Sequence, residues 1–130
     1  MTKRAIKTDQ APTPTGPFNQ AIRIGNLVFT SGQAGRNRET GKMGDIRDQA
    51  ARCIANVEAI LAEAGASLAD IVKVTVHLRH VEDAEAFNEV YRKLMPEPLP
   101  ARSAAYVGLR FPDMLCEMEA IAVIPEGRTG

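Results

Sequence analysis

The stretch LCEMEAIAVI, residues 115–124, alternates between two kinds of side chain and constrains the fold more than any other. In a strand, successive side chains point to opposite faces of the sheet. One face of this strand is wholly apolar and consists of Cys116, Met118, Ala120, Ala122 and Ile124. The other begins with Glu117 and Glu119 and ends apolar, which predicts a surface that is neither ordinary core nor freely solvated.

Residues 45–65 carry the clearest helix pattern in the chain. Apolar residues recur every three or four positions, Asp45 can cap the first turn, and Gly65 stands where helix ends favour glycine. The segment 83–95 repeats the pattern over a shorter length, and the prolines that follow it end the helix. Both helices are amphipathic, so each is expected to cover part of a sheet.

Short β-rich runs account for most of the remaining chain. Two of them, 21–24 and 27–31, flank the pair Gly25-Asn26, which is typical of a tight hairpin turn. Three further strands are predicted at 71–79, 101–108 and 115–124.

The order β-β-α-β-α-β-β predicts a single α+β domain over residues 1–130, with residues 1–15 and 125–130 as peripheral segments. Two helices can cover only one face of a mixed sheet of about five strands. The other face, part acidic and part apolar, is most simply explained by association of subunits. The last two strands are expected to pair antiparallel across the loop 108–114.

Charge and composition exclude several classes of protein. Sixteen basic and sixteen acidic residues give a formal net charge of zero, which argues against a nucleic-acid binder. No run approaches the roughly 18 apolar residues of a membrane helix, and the N-terminus lacks a secretory signal, so a cytoplasmic protein is expected. Cys53 and Cys116 are then expected to be buried free thiols, and no cysteine–histidine spacing suggests a metal site.

Arg102 opens a strand directly after prolines that fix its approach, and its fork of donors suits a carboxylate ligand. A structural ion pair with Glu117 or Glu119 is an equally good interpretation. A half-buried glutamate near an arginine can exchange a proton with water, as a hydrolytic acid/base must. The two glutamates compete for that role on pattern alone. Whether Arg102 faces Glu119 depends on a strand register that is left open.

Other candidate groups indicate less chemistry. His77 and His80 lack a paired nucleophile, and Ser31 and Ser103 lack an adjacent base. The segment TSGQAG, residues 30–35, is rich in glycine but lacks the spacing and the lysine of a phosphate-binding loop.

Several stretches, taken together and in order, resemble one known family. They are GPFNQAI, GNLVFTSGQ, NVEAILAEAGASLADIVKVTVHL, FNEVY, PARSA and EMEAIAV. None is very specific by itself, but PARS followed by E-x-E-A-I-A, after TSGQ, is specific. The combination resembles the RidA/YjgF family of reactive-intermediate deaminases.

The resemblance implies a chorismate-mutase-like α+β fold, with a mixed sheet covered by two helices on one face. It implies a homotrimer with its sheets inward and its active sites in clefts between subunits. It also implies hydrolysis of reactive 2-enamines and 2-imines, of the 2-aminoacrylate type, to 2-oxo acids and ammonia. Neither a metal nor an organic cofactor is implied.

Individual roles are implied by position in the family's motifs. Arg102 would bind the substrate carboxylate, and Glu119 would position or activate the attacking water. The implied substrate-binding residues are Phe18, Ser31, Gly32, Asn88 and Ala104.

Two of these positions depart from the family's pattern. Phe18 stands where a tyrosine is common, and Ala104 stands where many members carry a cysteine, so a hydroxyl and a thiol are missing. The changes make the pocket more apolar and leave the preferred imine open. Two alternatives are kept: a non-catalytic trimer that binds a small carboxylate metabolite, and an endoribonuclease, a label that the family has carried but that the scattered basic residues of this chain disfavour.

Overall fold

Seven strands and two α-helices make up the fold over residues 1–128, the part of the chain that this computed structural model describes. The strands are β1 (Arg4–Ile6), β2 (Ala21–Ile24), β3 (Leu27–Thr30), β4 (Gln33–Ala34), β5 (Ile71–Leu78), β6 (Ala101–Tyr106) and β7 (Cys116–Val123). The helices are α1 (Ile46–Glu63) and α2 (Ala84–Leu94).

Local sequence signals placed the longer elements correctly. Gly25 in the β2–β3 turn has a φ of 58°, and Gly65, just beyond α1, has a φ of 90°, both readily adopted only by glycine. Asp45 caps α1 by accepting a hydrogen bond from the backbone N–H of Asp48 at 2.9 Å. The two strands that were not predicted, β1 and β4, have three and two residues, too few for a period to show.

The ends of the chain differ in part from the prediction. Residues 1–15 were predicted to be peripheral, but β1 pairs with β2, and Ile6 and Ala11 are buried in the core. Residues 125–128 are exposed, although Arg128 forms an ion pair with Asp70. Residues 129 and 130 of that predicted segment lie outside the described residues.

The strand order is β1-β2-β3-β7-β5-β6, with β4 also paired to β7. The predicted antiparallel pairing of the last two strands is wrong, because β6 lies parallel to β5, and β5 separates it from β7. The reason is α2, which carries the chain from β5 to β6 across one face of the sheet. Such a crossover returns the second strand in parallel.

Both helices pack on the same face of the sheet, as predicted, and the core lies between them and the strands. The strands contribute chiefly Val74, Val76 and Leu78 of β5 and Cys116, Met118, Ala120 and Ala122 of β7. Cys53 of α1 and Cys116 are fully buried free thiols with their Sγ atoms 3.7 Å apart, which confirms that prediction. The hydrogen bond with Cys116, together with burial, raises the pKa of Cys53, so this thiol stays protonated.

The second face, which we call the open face, has no helix over it among residues 1–128. Strand pairing sets Thr75 beside Glu119 and His77 beside Glu117 on its acidic half. Its apolar half comprises Ile22, Ile24, Leu27, Phe29, Ile121 and Val123. Phe29 is 41% exposed, which is unusual for a phenylalanine in the middle of a sheet.

Gly35 lies against α1 more closely than any other residue type would allow. A Cβ atom on Gly35 would stand 2.4 Å from the Cα of Gln49 and 2.5 Å from its carbonyl oxygen. Asn56 holds the same segment by donating to the carbonyl oxygens of Ala34 and Arg36 at 3.1 and 3.3 Å. These contacts fix the path of the chain as it leaves β4.

The variant Gly35→Ala is expected to lower the free energy of unfolding by about 1–3 kcal/mol, the usual cost of overpacking. The obstacle is the backbone of α1, which cannot move aside as a side chain would. Urea unfolding followed by circular dichroism measures the change. Gly108→Ala is the matched control, since nothing lies within 4 Å of a Cβ atom there. Equal stability of the two variants would contradict the close contact.

Candidate active site

A cavity of about 210 Å³ lies beside the acidic half of the open face. Glu117 lines it from β7, Gly32 and Gln33 line it from the start of β4 and the residue before it, and Phe18 lines it from the N-terminal loop. The pairing of β4 with β7 sets Ala34 opposite Glu117 and so brings this glycine-containing segment to the carboxylate. Two residues predicted for the substrate pocket, Phe18 and Gly32, are therefore in one place.

Glu117 is held at the wall of this cavity. Its Oε1 lies 3.0 Å from Nδ1 of His77, and both side chains are 29% exposed. A Cβ atom on Gly32 would stand 2.6 Å from Cδ of Glu117, so only glycine leaves the carboxyl group in this position. His77 engages one carboxylate oxygen, which leaves a half-buried carboxyl group oriented beside an open volume.

Glu119 occupies a different part of the open face. It is exposed and lines a smaller hollow of about 150 Å³ with Phe29, Lys73 and Thr75. It is not among the residues that line the cavity at Glu117. The two glutamates share a face, as the alternation predicted, but only Glu117 lies with Phe18 and Gly32.

Arg102 lies on the helix side of the sheet. On β6 it pairs with Val74, a core residue, whereas Glu119 pairs with Thr75 of the open face. The sequence left open whether Arg102 and Glu119 face each other, and within one chain they point to opposite faces of the sheet. Val74 and Thr75 are adjacent in β5 and so point to opposite faces of the sheet. Arg102 points to the same face as Val74, and Glu119 points to the same face as Thr75.

The guanidinium of Arg102 is held by α2. Its Nη2 donates to Oδ1 of Asn88 at 2.6 Å, and its Cζ lies 4.8 Å from the ring centroid of Tyr91 and 5.6 Å from that of Phe87. Burial raises the pKa of Tyr91, an effect that the nearby Arg102 charge opposes. Tyr91 therefore acts as a neutral aromatic surface under the guanidinium. Asn88 binds the arginine, a role that leaves several guanidinium donors for a ligand.

Comparison with known proteins identifies the family. The family described as Endoribonuclease L-PSP matches residues 8–124. A RutC family protein of Pyrococcus abyssi is 50% identical over 94% of this chain and 98% of its own. A 2-iminobutanoate/2-iminopropanoate deaminase of Dermatophagoides farinae is 40% identical over 94% of this chain and 97% of its own. The crystal structure of Escherichia coli TdcF with bound serine matches with a TM-score of 0.89 and 38% identity, covering 94% of this chain and 99% of that one.

This chain belongs to the RidA/YjgF family. The resemblance drawn from PARSA and EMEAIAV is therefore confirmed, and so is the mixed α+β fold. No helix among residues 1–128 is long and apolar enough to cross a membrane. In the same residues, no three metal-binding side chains cluster.

In this RidA/YjgF chain the candidate residues form two separate groups. We call Phe18, Gly32 and Glu117 the acid half-site, and Asn88, Arg102 and Ala104 the guanidinium half-site. Ala104 lies exposed on β6, two residues beyond Arg102 and on the same side of the strand. Ser31 adjoins the acid half-site, but its Oγ donates to the carbonyl of Asn19 at 2.6 Å and so braces the N-terminal loop.

The sequence motifs of the RidA/YjgF family did not reveal two features of the acid half-site. The first is the pairing of β4 with β7, which places Gly32 beside Glu117 and not beside Glu119; β4 has only two residues and leaves no periodic signal. Arg36, Arg110 and Phe111 also line the cavity, and they come from loops far apart in sequence. Their clustering left no motif that spacing could reveal.

The variant Gly32→Ala is expected to turn the Glu117 carboxyl group away from His77, because the new Cβ atom would overlap it. The obstacle is the end of a flexible side chain, so the free energy of unfolding should change by less than about 1 kcal/mol. A crystal structure of the variant measures the distance between His77 Nδ1 and Glu117 Oε1. A distance still near the present 3.0 Å would contradict the steric argument.

Proposed function

We propose that this protein hydrolyses reactive 2-imino and 2-enamino acids, of the 2-aminoacrylate type, to 2-oxo acids and ammonia. The observation that carries the proposal is the pair of complementary half-sites, an oriented carboxyl group in a cavity and a preorganised guanidinium at a sheet edge. The name of the Dermatophagoides relative, a 2-iminobutanoate/2-iminopropanoate deaminase, supports the same chemistry.

The proposed site is shared between subunits of a homotrimer. Arg102 stands on β6, the last strand in the sheet order, and β6 is largely exposed. The open face offers an apolar surface suited to a second copy of the chain. Association through these surfaces would bring the guanidinium half-site of one subunit to the acid half-site of its neighbour.

In the proposed reaction Arg102 binds the substrate carboxylate through paired N–H donors. Glu117 accepts a proton from a water molecule as the water oxygen attacks C2 of the imine and the nitrogen takes up a proton. The resulting carbinolamine loses ammonia when a proton from Glu117 reaches the amine nitrogen, the C2–N bond breaks and the hydroxyl proton passes to solvent, which leaves the 2-oxo acid and replaces the proton that the imine nitrogen took from solvent. Phe18 and Ala104 provide apolar walls, which limit competition from bulk water for the carboxyl group.

We assign the acid/base role to Glu117, and not to Glu119, because of where the two side chains lie. Glu117 is half-buried, is oriented by His77, and shares its cavity with Phe18 and Gly32. Glu119 is exposed beside Lys73 and Thr75, close to the apolar half of the open face. In the proposed trimer Glu119 contributes to the contact between subunits.

The central test generates 2-iminopropionate from alanine with an amino-acid oxidase and follows its loss. Wild-type protein is expected to accelerate the loss. Arg102→Ala and Glu117→Gln are each expected to lower kcat/KM at least about 10²-fold, the usual scale for positioned acid–base groups. Glu119→Gln makes the same chemical change two residues along β7. A larger loss in Glu119→Gln than in Glu117→Gln would return the role to Glu119.

The same assay decides between the proposed function and its alternatives. If the wild-type protein does not accelerate the loss of several imines over buffer, deamination is contradicted and the metabolite-binding function takes its place. Endoribonuclease activity is the alternative suggested by the family name Endoribonuclease L-PSP. Protein repurified at high salt is expected to leave RNA intact, since a contaminating nuclease would be removed.

The assembly is tested by light scattering, which is expected to give three chain masses for the wild type. Ile121→Arg would place a charge on the apolar half of the open face and is expected to yield single chains. Glu58→Arg, on the exposed side of α1, is the control and should remain a trimer. A single chain mass for the wild-type protein would contradict a shared site.

A further inference from the structure

The cavity that holds Glu117 is also lined by two arginines, Arg36 and Arg110, and by the ring of Phe111. The Cζ atom of Arg36 lies 5.2 Å from the centroid of that ring, and the Cζ atom of Arg110 lies 4.9 Å from it. Both guanidinium groups therefore lie against one ring in the wall of a single cavity. Contact with the ring stabilises each cation and restrains its orientation.

Neither guanidinium forms an ion pair with a carboxylate of residues 1–128. Arg36 donates to the carbonyl oxygen of Gly41 at 3.0 Å, and Arg110 donates to Oγ1 of Thr15 at 3.1 Å. Each guanidinium has five N–H donors, so most of them are left for a ligand. Because both cations border one cavity, an anion bound in that cavity is attracted by each of them.

The loop that carries Arg110 and Phe111 is fixed from outside. Arg79 donates to the carbonyl oxygens of Leu109, Phe111 and Met114 at 2.9, 2.7 and 2.8 Å. Gln49, fully buried, donates to the carbonyl oxygen of Asp113 and accepts from the N–H of Leu115, both at 2.8 Å. The backbone beneath the two side chains is therefore preorganised.

From this cluster we infer that the protein prefers 2-imino acids whose side chain carries a second carboxylate. The inference rests on the proposed deaminase function and names its substrate class. Arg102 of a neighbouring subunit binds the carboxylate next to the imine carbon, Glu117 acts at that carbon, and Arg36 and Arg110 bind the carboxylate at the end of the side chain. Glu117 does not occupy them itself, because its Oε1 contacts Nδ1 of His77 and it forms no ion pair with either arginine.

Binding of the reaction products tests this subsite without requiring turnover. Isothermal titration calorimetry compares 2-oxoglutarate, which has two carboxylates, with 2-oxobutanoate, which has one. Wild-type protein is expected to bind 2-oxoglutarate at least about tenfold more tightly. The double variant Arg36→Gln/Arg110→Gln is expected to lose most of that preference, because shorter, uncharged amides replace both guanidinium groups of the subsite. Equal affinity of the wild type for the two 2-oxo acids would overturn the inference.

Turnover gives the second readout, with the imines of glutamate and alanine each made in situ by an oxidase. The ratio of the two kcat/KM values is expected to favour the glutamate imine and to fall about tenfold in the double variant. A double variant that lowers both values equally, with no change in their ratio, would overturn the inference. If the wild-type protein hydrolyses none of the imines, the proposed function is overturned. The calorimetric comparison of the two 2-oxo acids would then still test the carboxylate subsite.

Arg38→Gln is the matched control. Arg38 lies two residues from Arg36, pairs with Glu39, and is not among the residues lining the cavity. The Arg38→Gln change removes one positive charge from the loop that also carries Arg36, but not from the cavity. Both the affinity ratio and the kcat/KM ratio should therefore stay as in the wild type. A fall in either ratio as large as that of the double variant would show that general charge, and not the cavity, sets the preference.

Discussion

The alternation of side chains along β7 is the constraint on which the rest of the structure depends. This strand pairs with β3, β4 and β5, so hydrogen bonds hold it on both sides. Its inward residues are anchored in the core, and a shift of one residue would exchange the two faces and bury two glutamates. The position of Glu117 is therefore set by the stability of the whole domain, which suits a group whose chemistry depends on orientation.

The path of the chain through α2 separates the two charged groups of the proposed site. Because α2 crosses the helix side of the sheet, β6 returns beside β5, and Arg102 lies over the residues of α2 that precede it. One chain thus holds an oriented guanidinium and an oriented carboxyl group with the sheet between them. In the proposed trimer, the active site is complete only after assembly, because a separated subunit has both charged groups but no cavity that they share.

Local patterns in the sequence predicted what local physics determines. The helix over residues 46–63, the hairpin at Gly25 and the two faces of β7 all follow from periods and turn preferences within short windows. The strand that pairs with β6 did not follow from the sequence. The helix between β5 and β6 favours a parallel pairing of those two strands, whereas the short loop between β6 and β7 favours an antiparallel pairing of the last two. The proposal of Glu117 over Glu119 also needed tertiary structure, because the strand next to Gly32 is held by its pairing with β7 and leaves no signal in its own sequence.

The hydrogen bonds from Arg79 to the loop before β7 have a consequence for how proteins of this architecture diversify. They reach main-chain oxygens only, and Gln49 likewise contacts main-chain atoms of the segment. The course of the loop is thus independent of which side chains it displays at positions 110 and 111. Evolution, or a protein engineer, could exchange those two residues to suit a new metabolite while the residues of the proposed acid/base site stay unchanged.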